Sequence, residues 1–91
     1  MSHVEIASVR AVLVDFLLEQ VRKGVASEHG ELTDDYDLLL SGTIDSLGML
    51  ELVGVMQENF GEHIDFDAID PEQLTVVGPL CRFVAEHASV E

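Results

Sequence analysis

Apolar residues recur along this chain in helical stretches separated by segments with no sustained period. In the first stretch Ile6, Val9, Leu13, Phe16, Leu17 and Gln20-Val21 fall three or four apart, which predicts a helix from about Val4 to Lys23. Arg22 and Lys23 put positive charge in its last turn, and Gly24 follows as a stop. Residues 24–44 carry Gly24, Gly30, Asp34, Asp35, Asp37, Ser41 and Gly42 and read as one long connection. A loop of that length in a small domain is usually functional. Tyr36, Leu38, Leu39 and Leu40 interrupt its polarity and are expected to fold back over the helices, with room for a short helical turn.

The second helix is expected to begin at Asp45 or Ser46 and to run to about Phe60, with Gly61 ending it. Asp45 is a good N-cap, and Ile44 and Met49 stand where a hydrophobic staple would join them. Leu52, Val53, Met56 and Phe60 form one apolar stripe suited to a core. Leu47, Leu50 and Gly54 form another on a different face, beside Glu51 and Glu58. Burying an amphipathic helix needs only one stripe, so the extra one is either a partner surface with an acidic rim or is covered by a wrapping loop. Ile64 and Phe66 alternate with polar residues, but no second strand is available to pair with them, which leaves an extended connector that tucks them inward. Asp70 followed by Pro71 signals a short third helix. A last helix should start at Thr75 or Val76 and reach about Ala88, with Val77, Leu80, Cys81, Val84 and His87 at helical spacing and Pro79 tolerated in its first turn. The expected architecture is therefore all-α: a small four-helix bundle of three main helices, a short third helix and a long first loop, in one domain over residues 1–91.

With 91 residues of which 47 % are apolar, the chain can form one core, built from Leu, Val, Ile, Met and four Phe without Trp. An interior this small offers little room to preorganise a catalytic site, and no enzymatic activity is expected. The 18 acidic against 4 basic residues give a formal net charge of −14. Nucleic acids and anionic membrane surfaces are poor partners for such a chain, because phosphate neutralisation requires Lys and Arg. Basic proteins are good ones, although the charge could also serve only solubility. The single cysteine, Cys81, allows no internal disulfide and falls in an apolar helical pattern, where a buried inert thiol is expected rather than a nucleophile. Met1-Ser2-His3-Val4-Glu5 lacks a basic stretch leading into an apolar run, and no segment is long and apolar enough to span a bilayer, so a cytoplasmic location is expected.

Several chemistries fail on spacing. A nucleophile elbow needs Gly two residues to each side of the serine, and around Ser46 only Gly48 fits, Ile44 standing on the other side. His29, His63 and His87 show no spacing that ties them to Ser46. A calcium loop starting at Asp65 would have Asp70 and Val76 where Gly and Glu belong, and one starting at Asp35 would have Leu40 in the glycine position. No metal site and no glycine-rich phosphate loop is expected.

What remains is a serine at the start of a helix. Gly42-Thr43-Ile44-Asp45-Ser46-Leu47 puts one hydroxyl where backbone N–H groups and the positive end of a helix dipole would receive a phosphate. Taken alone, Ser46 is equally a cap or first-turn residue. Together with the long loop, Glu51-Leu52-Val53, Phe60-Gly61, the connector from Ile64 to Asp70 and Leu74-Thr75-Val76-Val77-Gly78, however, the site resembles that of the acyl and peptidyl carrier proteins, over about residues 6–88. The resemblance implies that Ser46 bears a covalent 4′-phosphopantetheine arm, transferred from coenzyme A by a magnesium-dependent phosphopantetheinyl transferase that reads Asp45 and Leu47. It further implies that Leu50, Glu51 and Glu58 help dock partner enzymes, namely an acyl- or aminoacyl-loading ligase and downstream acyl-transfer or synthase enzymes, and that the carrier is a discrete monomer. Gly48, Gly54 and Gln57 depart from the acidic or bulky residues common in fatty-acid carriers, and so point to a specialised pathway. The other class compatible with the residues is a small acidic helical interaction domain without an arm, binding a partner helix through its Leu47/Leu50 face.

Overall fold

The computed structural model describes residues 4–24 and 31–88. Its helices are α1 (Ile6–Arg22), α2 (Ser46–Phe60), a one-turn α3 (Pro71–Leu74) and α4 (Val77–His87), with a 3₁₀ turn at Phe66–Ala68. The bundle is all-α as expected, without a strand among the described residues; an isolated bridge pairs Asp37 with Val76.

α1 begins two residues later than its apolar pattern suggested. Val9, Leu13, Phe16, Leu17 and Gln20 face inward, while Ile6, expected on the same stripe, is 46 % exposed at the helix start. Gly24 takes a left-handed φ of 79°, which suits a stop after the Lys23 cap. α2 buries Met49, Leu52, Met56 and Phe60 against α1 and α4, with Val53 half-buried at the edge of that stripe. Ile44 and Met49 are both buried in the same cluster, as a staple requires. Gly61 ends the helix at φ 139°, its N–H donating to the Gln57 carbonyl.

The long loop behaves differently from the expectation for its leucines. Leu38 is fully buried and Tyr36 packs on the core, but Leu39 is 37 % and Leu40 86 % exposed. The cause is a tight helical turn. The Asp37 carboxylate accepts the N–H groups of Leu39 and Leu40 at 3.0 and 2.9 Å, and Ser41 N–H donates to the Asp37 carbonyl. A turn of that shape aims one leucine inward and carries the next two out to solvent.

The loop is stitched to the start of α4 by three backbone bonds: Leu38 N–H to Thr75 O (2.8 Å), Val77 N–H to Tyr36 O (3.0 Å) and Gly78 N–H to Asp34 O (2.8 Å). Arg10 on α1 reaches Asp34 at 3.2 Å. The connector holds a capped 3₁₀ turn where an extended segment was expected: Asp65 accepts Asp67 N–H, which coils the chain while Ile64 and Ile69 enter the interior and Phe66 packs beside them. Asp70 caps α3 through Glu72 N–H, with Pro71 next to it as the sequence indicated. α4 starts at Val77, because Val76 is held extended in its bridge to Asp37. Its buried residues are Val77, Gly78, Leu80, Cys81 and Val84. His87, expected to extend that stripe, is exposed and its ring instead engages the Phe83 carbonyl at 2.8 Å.

Candidate functional site

The start of α2 is fixed from both sides. Upstream, Ile44 N–H donates to the Leu38 carbonyl and the buried Thr43 hydroxyl bonds with both Tyr36 and Ser41. This hydroxyl cluster clamps the last residues of the loop before the helix begins. Downstream, the Asp45 side chain accepts Gly48 N–H at 2.8 Å and the Asp45 carbonyl accepts Met49 N–H at 3.0 Å. Asp45 is therefore the cap, and Ser46 is the first helical residue.

This assignment decides what Ser46 is free to do. Its side chain is exposed and makes no hydrogen bond to any described residue. The backbone N–H groups of Ser46 and Leu47 are also without partners among the described residues, as the first donors of a helix are. A tetrahedral anion on the Ser46 hydroxyl would meet two free donors and the positive end of α2. The residues present thus fit a phosphodiester at this position.

The other predicted site residues lie on the same helix. Leu47 is 64 % and Leu50 69 % exposed, so the described part of the loop does not cover them. A methyl group on Gly54 would meet nothing within 4 Å, which leaves that end of the stripe open as well. Glu51 and Glu58 are exposed, Glu51 in the second turn and Glu58 about 18 Å along the axis from Ser46. Asp45, Ser46, Leu47, Leu50 and Glu51 thus share one end of α2, whereas Glu58 stands at the other.

The remaining chemistry-bearing groups lie elsewhere. His63 and His87 meet each other near the end of α4, where the His63 ring reaches the His87 carbonyl at 2.8 Å, while His29 lies outside the described residues. Their place beyond the C-terminal end of α2 separates them from Ser46 by the length of that helix, about 20 Å. Cys81 is fully buried, and burial pushes its thiol up to about 11, so almost none is thiolate near neutral pH. Among the described residues, no group of three or more His, Cys, Asp or Glu is placed to hold a metal ion, and no helix is long and apolar enough to cross a membrane. Sequence reasoning missed the Tyr36–Thr43–Ser41 cluster. Its only signal was a run of hydroxyl residues just before the helix.

Compared with known proteins, the chain matches no family model, no curated protein and no solved structure.

Proposed function

We propose that this chain is a discrete carrier protein whose Ser46 holds a 4′-phosphopantetheine arm and presents acyl or aminoacyl groups to partner enzymes. One observation carries the reading. Asp45 does the capping, which removes the ordinary reason for a serine at this place and leaves an exposed hydroxyl beside unpaired N–H groups. When bound, the arm supplies a thiol that holds cargo as a thioester, chemistry this chain's buried Cys81 cannot offer. The protein's share is to present Ser46 Oγ, to neutralise the phosphodiester with the N–H groups of Ser46 and Leu47, and to offer Leu47, Leu50 and Glu51 as the surface an enzyme touches while it works on the arm. A phosphopantetheinyl transferase, a loading ligase and acyl-transfer or synthase enzymes are the partners of this reading, and the cytoplasm is the compartment that holds them.

The test is co-expression with a broad-specificity phosphopantetheinyl transferase, followed by intact-mass measurement. The wild-type chain should gain one arm and Ser46→Ala none, with equal helical circular dichroism for the two. An arm found on the alanine variant would move the site elsewhere. A wild-type chain that gains no mass would leave the exposed Leu47/Leu50 face as the functional surface of an armless interaction domain.

A further inference from the structure

We infer that three hydroxyl groups, on Tyr36, Thr43 and Ser41, form a directed relay that orients the first turn of α2 and so positions Ser46 for attachment of the arm. Thr43 is the one buried hydroxyl residue among the described residues, at 2 % exposed, and it stands two places before the Asp45 cap. Its side-chain oxygen bonds with the Tyr36 hydroxyl and, at 2.9 Å, with the Ser41 hydroxyl. A hydroxyl has one proton to give. Ser41 gives its own to the Leu38 carbonyl at 3.3 Å, so Thr43 donates to Ser41, and Tyr36 donates to Thr43. The same Leu38 carbonyl accepts Ile44 N–H at 3.2 Å, and Thr43 N–H donates to Ser41 Oγ at 3.3 Å, which closes a ring over residues 38–44. Hydrogen bonds in such a chain polarise one another, and a chain with every proton placed favours one geometry.

Both ends of the relay are anchored on the entry to α4. The Tyr36 carbonyl accepts Val77 N–H at 3.0 Å, and Leu38 N–H donates to the Thr75 carbonyl at 2.8 Å. The relay therefore ties the residues entering α2 to a fixed point on a different element. The bonds from Gly48 and Met49 to Asp45 settle where the helix begins, but not how the chain that enters it is turned. The Ser46 side chain has no hydrogen bond to a described residue, so its direction is inherited from Ile44 and Asp45, and through them from Thr43. On the reading of Ser46 as the attachment residue, transfer needs this hydroxyl held in line with the incoming phosphate, and a small misplacement of a reacting group slows a reaction steeply. Packing alone does not call for threonine here. Valine has the same shape and would fill the space without needing partners.

The full-length chain and its Thr43→Val, Thr43→Ser and Tyr36→Phe variants are compared by two measurements. One is amide hydrogen exchange. The other is the rate at which a broad-specificity phosphopantetheinyl transferase, supplied with coenzyme A and magnesium, adds the arm. Thr43→Val keeps the shape and breaks the relay, whereas Thr43→Ser keeps the hydroxyl and drops a buried methyl group. Thr43→Val and Tyr36→Phe should speed exchange of the Gly48 and Met49 amides, relative to those of Leu52 and Met56, by roughly three- to tenfold, the effect of one hydrogen bond. Both should slow arm transfer by a similar factor or more. Thr43→Ser should transfer at the wild-type rate in spite of a lower melting temperature. Slower transfer in Thr43→Ser than in Thr43→Val would show that packing governs the site and would overturn the proposal. So would first-turn exchange that Thr43→Val leaves unchanged, or transfer that stays at the wild-type rate while exchange quickens. A wild-type chain that takes no arm would overturn the Ser46 reading instead, and exchange at Gly48 and Met49 would still decide whether the relay sets the turn.

Discussion

Asp45 and Ser46 divide two tasks that a single serine often combines. The aspartate closes the helix end, and the serine is left with an uncommitted hydroxyl. This was legible in the sequence because capping depends on residues only three apart. The glycines were less legible, since their roles depend on what lies across from them. A methyl group on Gly54 meets nothing, while one on Gly78 would sit 2.8 Å from the Asp34 carbonyl oxygen and 2.9 Å from Asp34 Cβ. Gly54→Ala should therefore stabilise the chain by about 0.5–1 kcal/mol, because alanine loses less backbone freedom in a helix. Gly78→Ala should destabilise it, since the backbone it strikes is the one it hydrogen-bonds at 2.8 Å. Gly48→Ala should fall between them, with Ile44 Cβ 3.1 Å away. Denaturant unfolding of the three variants checks this order, and a destabilised Gly54→Ala would show that this helix face is more crowded than it looks.

At the scale of elements, the described part of the loop before α2, residues 31–45, is a structured brace. The Asp37 carboxylate holds the turn that buries Leu38 and exposes Leu39 and Leu40, and backbone bonds on either side tie the loop to the entry of α4. Sequence periodicity predicted the helices, because each repeats its pattern over several turns. It misplaced Leu39 and Leu40 because their direction comes from one carboxylate and a distant segment, neither of which leaves a period. The coiling of the connector by Asp65 was hidden for the same reason. The brace also has a pH signature. Burial raises the Asp37 carboxyl, but hydrogen bonds from Leu40, Thr75 and Leu39 outweigh it and hold the group below its ordinary 3.8. A carboxyl depressed on folding contributes stability above its unfolded value, and that contribution is lost as pH falls through the folded value. Asp37→Asn should thus lower the melting temperature at about pH 7, and the gap to wild type should narrow below pH 3.8. A gap constant down to about pH 2.5 would mean that the side chain acts by shape and not by charge.

For the molecule as a whole, charge is the dominant uncompensated term. The 18 acidic residues are opposed by 4 Lys and Arg in all, which leaves a formal net charge of −14 on 91 residues. The ion pairs among the described residues are Arg10–Asp34 at 3.2 Å and Arg22–Glu19 at 3.4 Å. In each at least one partner is largely exposed, and pairs of that kind contribute about 0–1 kcal/mol. Little is therefore lost when salt screens them. Much is gained, because acidic residues crowd in the loop before α2 (Glu31, Asp34, Asp35 and Asp37) and along the connector into α3 (Glu62, Asp65, Asp67, Asp70 and Glu72), and their mutual repulsion falls as the screening length shrinks. The melting temperature should rise from low to moderate salt. Over the same range association with basic partners should slow, because the field that repels the chain from itself is the field that draws such partners in. Thermal unfolding and stopped-flow association across one salt series measure both. A melting temperature that falls with salt would mean that the two exposed ion pairs outweigh the general repulsion. A rise in stability with no change in association rate would place the binding energy in the apolar surface of Leu47 and Leu50, with charge left to govern folding alone.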